Sequence, residues 1–328
     1  MHEPFVVDNL TVQAGSKHKQ FVTVAARPGG APIGFPLLVA HGAKPGPVFC
    51  AVSGVHGDEY EGREAIRRVF ERLDAQALAG TFLAVPTANV PAFESSSRSS
   101  PVDQVNLARV FPGKPDGTVS ERVAHKLFHD VAMKSDLLID FHGGGVDLWH
   151  ASLVNFPQGE SQETNKAVYE LARATGMELM VQARVAGGML PNELVGRGKV
   201  AVNIEVGGQG HLQESLILQD VEAIWSAMRA YRMVDGKPQR PPQRLIVRSR
   251  TILNCNLAGM FVRNPEAQLR TWVPEGYSLG WVRDIFGDVV ETIVTPHRSY
   301  VTVLRSNPTV LAGNWVAFLG REVETVEG

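Results

Sequence analysis

Cysteine is almost missing from this chain: Cys50 and Cys255 are the only two in 328 residues. That excludes a disulfide framework. Cys50 lies in the apolar run 47–53, so both are expected to be unpaired core thiols in a reducing cytoplasm. No apolar run approaches the ~18 residues of a membrane span, and the N-terminal "MHEPFVVDNL" has no basic region followed by an apolar stretch. An excess of charge is missing as well. With 32 Lys and Arg against 34 Asp and Glu, the net charge is -2, which gives no bulk attraction for nucleic acid or an anionic membrane. No GxSxG elbow, Walker loop, dinucleotide fingerprint or internal repeat is found, and "SSSRSSP" (95–101) is too short to be more than a loop. What remains is a chain with 44% hydrophobic residues, long enough for one large domain and a smaller one.

Short apolar runs at 20–26, 36–41, 47–53, 82–86, 137–141, 151–155 and 200–206 read as strands. Segments 59–78, 119–134, 161–175 and 214–232 repeat apolar residues at three- and four-residue spacing and read as helices. Strands alternating with helices predict an α/β fold: a mixed, largely parallel sheet with helices on both faces and ligand sites beyond the carboxyl ends of the strands. After the linker-like "MVDGKPQRPPQR" (233–244) the helical period disappears. Short runs separated by Gly, Pro and Asn turns predict a small all-β module. The expected domains are therefore 1–240 and 241–328.

The chemistry concentrates at strand ends. "VSGVHGDEYEG" follows the strand 47–53, and its His56 and Glu59 are three residues apart, with Glu59 expected to open the next helix. That spacing lets an imidazole and a carboxylate meet at one zinc ion, which takes such ligands at about 2.0–2.2 Å. "LLIDFHGGG" supplies a third ligand, His142, at the end of another strand, with Asp140 on the same side as its outer partner. Either half alone is weak, because HxxE arises by chance and a lone strand-end His is usually solvated. "VNIEVGGQG" places Glu205 in an apolar strand, where an ionised carboxylate needs a partner. A zinc-bound water is one, making Glu205 the general base; an ion pair with Arg184 or Arg197 is the alternative. Arg98 and Arg109 sit in the Ser- and Pro-rich stretch 94–113, whose neighbouring acids are Glu94 and Asp103. Surface arginines are the plain explanation, but an amide hydrolase needs a cation for the developing oxyanion and a fork for a carboxylate.

"GVHGDEYEG", "RSSPVDQVNLARVFPG", "IDFHGGG" and "NIEVGGQG", in this order, resemble the succinylglutamate desuccinylase/aspartoacylase family, relatives of the zinc carboxypeptidases, over roughly residues 20–235. The resemblance implies one zinc held by His56, Glu59 and His142, Glu205 as catalytic base, and Arg98 polarising the scissile carbonyl. It implies Arg109 as the clamp on a substrate carboxylate, with Asn106 beside it at the substrate. Family members read Asp-Leu-Asn-Arg where this chain has "NLAR", so Asn106 occupies the Asp position and Ala108 replaces the Asn that helps hold the α-carboxylate. The implied activity is removal of an acyl group from a small N-acylated amino acid, acetyl-diaminobutyrate, succinyl and aspartyl compounds being among the family's substrates. A carboxypeptidase acting on peptides and a catalytically silent metal-binding protein are the rivals.

The stretch 273–301, "VPEGYSLGWVRDIFGDVVETIVTPHRSYV", is similar to the barrel-sandwich fold of biotinyl and lipoyl carriers, but "TPHRSYV" has no lysine at the tip. A cap or a homo-oligomer contact is expected rather than a carrier. Asp58 would bridge a second metal in a two-zinc site, yet it and Glu61 are explained as acids favoured at a helix start. His150 and His211 follow motif strands with no spacing argument behind them, and His297 is more simply a surface histidine.

Overall fold

The apolar runs form strands because their β-branched and aromatic residues pack on both sides of a covered sheet. All six residues of Leu137–His142 are buried, as are the last five of Lys44–Ser53. In the computed structural model, which describes residues 3–185 and 187–328, these two strands and Val200–Gly208 run parallel and adjacent at the centre of a large mixed sheet. The path outward on one side passes through Ala79–Val85, Pro32–His41 and Ser16–Ala26, and on the other through Leu148–Gln158. The fold is thus α/β with a parallel centre and antiparallel flanks. No helix among the described residues is long and apolar enough to cross a membrane.

Helix Glu61–Arg72 is shorter than the pattern 59–78 predicts. Leu73 turns extended, and the Asp74 side chain accepts from the Gln76 amide, a local bond that competes with another helical turn. At its other end the helix begins at Glu61, so Glu59 precedes it instead of opening it. Ala65, Ile66, Val69 and Phe70 form its buried stripe, each of the larger side chains contributing about 1.5–3 kcal/mol by leaving water. The pattern at 119–134 resolves into Val119–Lys126, with a capping box between Thr118 and Glu121, continued by a wide turn at 127–131 and a tight one at 132–134. Strand Leu179–Arg184, helix Leu190–Val195 and the N-terminal hairpin Phe5–Val7/Leu10–Val12 carried too little pattern to be predicted.

Beyond Ala230 the described residues contain strands and no helix. Four of these strands, Gly259–Arg263, Ser278–Arg283, Val289–Val294 and Thr309–Val310, make a separate sheet. Others join the large one: Ser299–Arg305 lies antiparallel to Leu148–Gln158, and Gln243–Val247 runs parallel to Leu179–Arg184. A second hydrophobic cluster around Phe261, Leu279, Val282 and Val316 is distinct from the main core.

Helix Glu61–Arg72 rests directly on the central strand. A Cβ on Gly62 would meet Phe141 Cβ at 2.4 Å and Ser53 Oγ at 2.8 Å. In an open helix Gly→Ala stabilises by about 0.5–1 kcal/mol; here Gly62→Ala should destabilise by about 1–3 kcal/mol through overpacking. Urea unfolding of the variant decides by the sign of the change.

Candidate active site

Strand register sets the site. On neighbouring parallel strands Glu205 stands directly beside His142, and Asn203 beside Asp140. The parallel strand on the other side of Leu137–His142 pairs Ser53 with Phe141, and its chain then turns through Gly54 to His56. Gly57 lets this turn press against the backbone of helix Val90–Glu94: a Cβ there would lie 2.0 Å from the Ala92 carbonyl carbon. A register shift between Glu205 and Gly207 sets His150 opposite Gly207 on the antiparallel neighbour, the kind of bulge that re-aims side chains beside a site.

His56, Glu59 and His142 converge, with ligand atoms all within 4.8 Å of one another and every residue buried. Glu59 Oε1 lies 2.8 Å from His56 Nδ1, and its Oε2 lies 3.0 Å from His142 Nδ1; the two Nδ1 atoms are 3.3 Å apart. Each ring is held from behind: His142 Nε2 is 2.9 Å from Asp140 Oδ2, and His56 Nε2 is 3.2 Å from Asn106 Oδ1. Both outer partners are acceptors, so a neutral imidazole at either position carries its proton on Nε2 and turns its Nδ1 lone pair inward. Two such nitrogens and a carboxylate oxygen are three acceptors aimed at one point, which is a donor set suited to a cation and ill suited to an empty core. The two rings differ in how readily they hold a second proton. Burial pushes the His56 imidazole down to about 4, whereas at His142 the Asp140 and Glu59 carboxylates outweigh burial and hold it well above the usual range.

Around the triad lies a cavity of about 550 Å³, and Arg98, Arg109, His150 and Glu205 border it. Arg98 Nη1 is 3.3 Å from Glu59 Oε1. Arg109 ends a short turn, Leu107–Arg109, and donates through Nη1 to the Ala108 carbonyl at 2.9 Å. Among the described residues Glu205 has no arginine within ion-pair distance; His150 Nδ1 lies 3.7 Å away, and burial pushes that imidazole down to about 3, so it is neutral. Burial, aided by Glu59, pushes the Glu205 carboxyl up to about 8 against the pull of His142, Arg98 and Arg250. Of the two arginines considered as its ion-pair partner, Arg197 is bound to Glu193 and Arg184 borders the cavity without an ion pair among the described residues.

Other predicted residues lie elsewhere. The Asn106 oxygen is engaged by His56 and by the Ala108 amide at 2.9 Å, and Asn106 does not line the cavity. The carboxamide stands behind His56 and caps the turn that carries Arg109. Asp58 accepts from the Val146 amide outside the triad, and burial raises Glu61 to about 7. His211 is exposed. His297 is held between Thr251 Oγ1 and Ser299 Oγ, away from the cavity. Missed by the sequence reading are Arg248, Arg250, Ile252, Trp315 and Phe318, which reach the cavity from the C-terminal strands; no local motif marks them.

The model of the succinylglutamate desuccinylase/aspartoacylase catalytic domain matches residues 45–231. The N-alpha-acetyl-L-2,4-diaminobutyric acid deacetylase of Halomonas elongata is 33% identical over 204 residues. That match covers 60% of this chain and 58% of the relative, so it spans less than two thirds of the relative's length. The product-bound ectoine utilization protein EutE (DoeB) of Ruegeria pomeroyi has a TM-score of 0.88 at 25% identity over 98% of both chains. A succinylglutamate desuccinylase from a Silicibacter species scores 0.85, also at 25% identity and 98% of both chains.

The outer partners should tune the triad. Asp140→Asn should weaken the triad's affinity for an added divalent cation about 10–100-fold, while Asn106→Asp, which places a carboxylate behind His56, should not weaken it. Competition against a chelating dye measures both, and identical affinities in parent and Asp140→Asn would break the link.

Proposed function

The chain belongs to the succinylglutamate desuccinylase/aspartoacylase family, and from that premise we propose that it is a zinc-dependent amidohydrolase that removes an acyl group from a small N-acylated amino acid. The observation that carries the reading is the convergence of His56, Glu59 and His142 on one point, with Glu205 in register beside it. One zinc ion held by the triad would supply Lewis acidity and a lowered water pKa. Glu205 accepts the proton of the attacking water and returns it to the leaving amine. Arg98 donates to the carbonyl oxygen as negative charge builds there. Arg109 holds a substrate carboxylate through its fork. Ala108 offers that carboxylate no side-chain donor, so Arg109 acts without the amide that family members place beside it.

In this reading residues 1–240 form the catalytic domain and 241–328 an all-β domain whose strands narrow the cavity. Trp315 and Phe318 on its wall favour a small substrate over a peptide chain and weigh against the carboxypeptidase reading. The Halomonas relative points to acetylated diaminobutyrate, the Ruegeria one to a compound of ectoine utilization, and the Silicibacter one to a succinylated amino acid, as the compounds to test first.

Glu205→Gln should keep zinc and fold but lose about 10²–10⁴ in turnover. Elemental analysis and hydrolysis assays on one preparation check this, and a folded, zinc-loaded, active Gln variant would end the mechanism. Arg98→Ala should lower kcat by about 10²–10³, whereas Arg109→Ala should chiefly raise KM; identical kinetic signatures would mean that one role is misassigned. Chelation should abolish hydrolysis and zinc should restore it.

A further inference from the structure

The linker-like "MVDGKPQRPPQR" borders a second cavity, of about 680 Å³, which shares no lining residue with the catalytic one. Helices Gln162–Ala174 and Glu214–Ala230 both end at it. Arg173, Arg229, Arg232, Arg240 and Arg244 line it, with Glu170 as their one carboxylate. Arginines near helix carboxyl ends are ordinary, since each end carries about half a negative charge. The number here exceeds that account. Arg229 is paired with Glu222 at 2.6 Å. Glu170 and the two helix ends together offset about two of the other four charges, which leaves about two without a counter-charge.

Arg244 is the decisive member, because it is only 2% exposed. Its Nη2 donates to the Arg173 carbonyl at 2.9 Å and so caps the first of the two helices, but among the described residues its Nε and Nη1 have no acceptor. Burial pulls its charged form toward neutrality, and Arg173 and Arg240 add to this against Tyr169 and Glu170. A buried guanidinium with open donors beside like charges is costly unless an anion meets it. Nearby carboxylates do not serve: Glu178 is taken by Arg270 and Glu222 by Arg229. Arg232 adds a separate sign. It follows the helix end with φ 57°, a left-handed position that favours glycine, so the turn itself gives no reason for an arginine there.

We propose that this cavity is a binding site for a small anion bearing a diphosphate, with Arg232 and Arg240 at its exposed rim, Arg173 between them and Arg244 at its buried base. A surplus of about two charges, presented as several forks, suits two linked phosphate groups better than one carboxylate. Arg244 lies out of reach of a flat surface, so the ligand is a small molecule and not a duplex or a bilayer. The site stands apart from the catalytic cavity and does not depend on the deacylase reading.

Calorimetric titration of the full chain with inorganic pyrophosphate should show one saturable site at physiological ionic strength. ADP as a second probe separates a free diphosphate from one carried on a larger group, which tighter ADP binding would indicate. Arg240→Gln should weaken binding roughly ten- to hundredfold, the size of a lost charge-assisted bond. Arg232→Gly should weaken it by as much while leaving the melting temperature unchanged or raised, a combination that a merely structural arginine would not produce. Arg250→Gln, in the catalytic cavity, should leave binding unchanged. If neither anion binds the parent, the proposal is wrong. It is equally overturned if Arg250→Gln removes the binding while Arg232→Gly and Arg240→Gln keep it, because the anion then sits in the catalytic cavity.

Discussion

Glu59 is 4% exposed, and desolvation alone would drive its carboxyl toward the neutral form. The two imidazoles at 2.8 and 3.0 Å reverse that and hold it well below the usual carboxylate range. Much of the surrounding structure serves this contact. His142 is steadied by Asp140, His56 by Asn106, and Arg98 closes on the same carboxylate. A buried ion cluster contributes little net stability, so this one adds little support to the fold.

The parallel centre of the sheet converts this contact into a site. Parallel strands end on the same edge, so residues at their carboxyl ends gather whatever their distance in sequence. His142 and Glu205, 63 positions apart in the chain, become direct cross-strand neighbours by register alone. The antiparallel flank then adds His150, and Ser299–Arg305, paired to that flank, brings the C-terminal strands to the cavity. The charge balance follows from this assembly: residues up to Glu205 supply the carboxylates, and the C-terminal region adds Arg248 and Arg250 to the cations already there.

Much of the site was legible before the fold was known, because each motif combines a rare event with a local reason. A Glu inside "VAVNIEV" and a His ending "LLIDF" both violate the apolar pattern of a buried strand, and such violations mark chemistry. The boundaries of helices were less legible. Glu59 falls in step with the helical pattern that follows it, and only its turn toward two histidines shows that it precedes the helix.

Residue types and strand periodicity by themselves determined the α/β layering, the change to an all-β region after the linker, and the identity of the inward-facing acid and histidines, since these depend on interactions within one element. Tertiary structure alone decided which Nδ1 faces which carboxylate oxygen, that Asn106 stands behind His56, and that Arg250 completes the cavity wall. Those outcomes depend on register and on contacts across 50 to 150 positions of chain, which leave no local pattern because no neighbouring residue has to change to accommodate them.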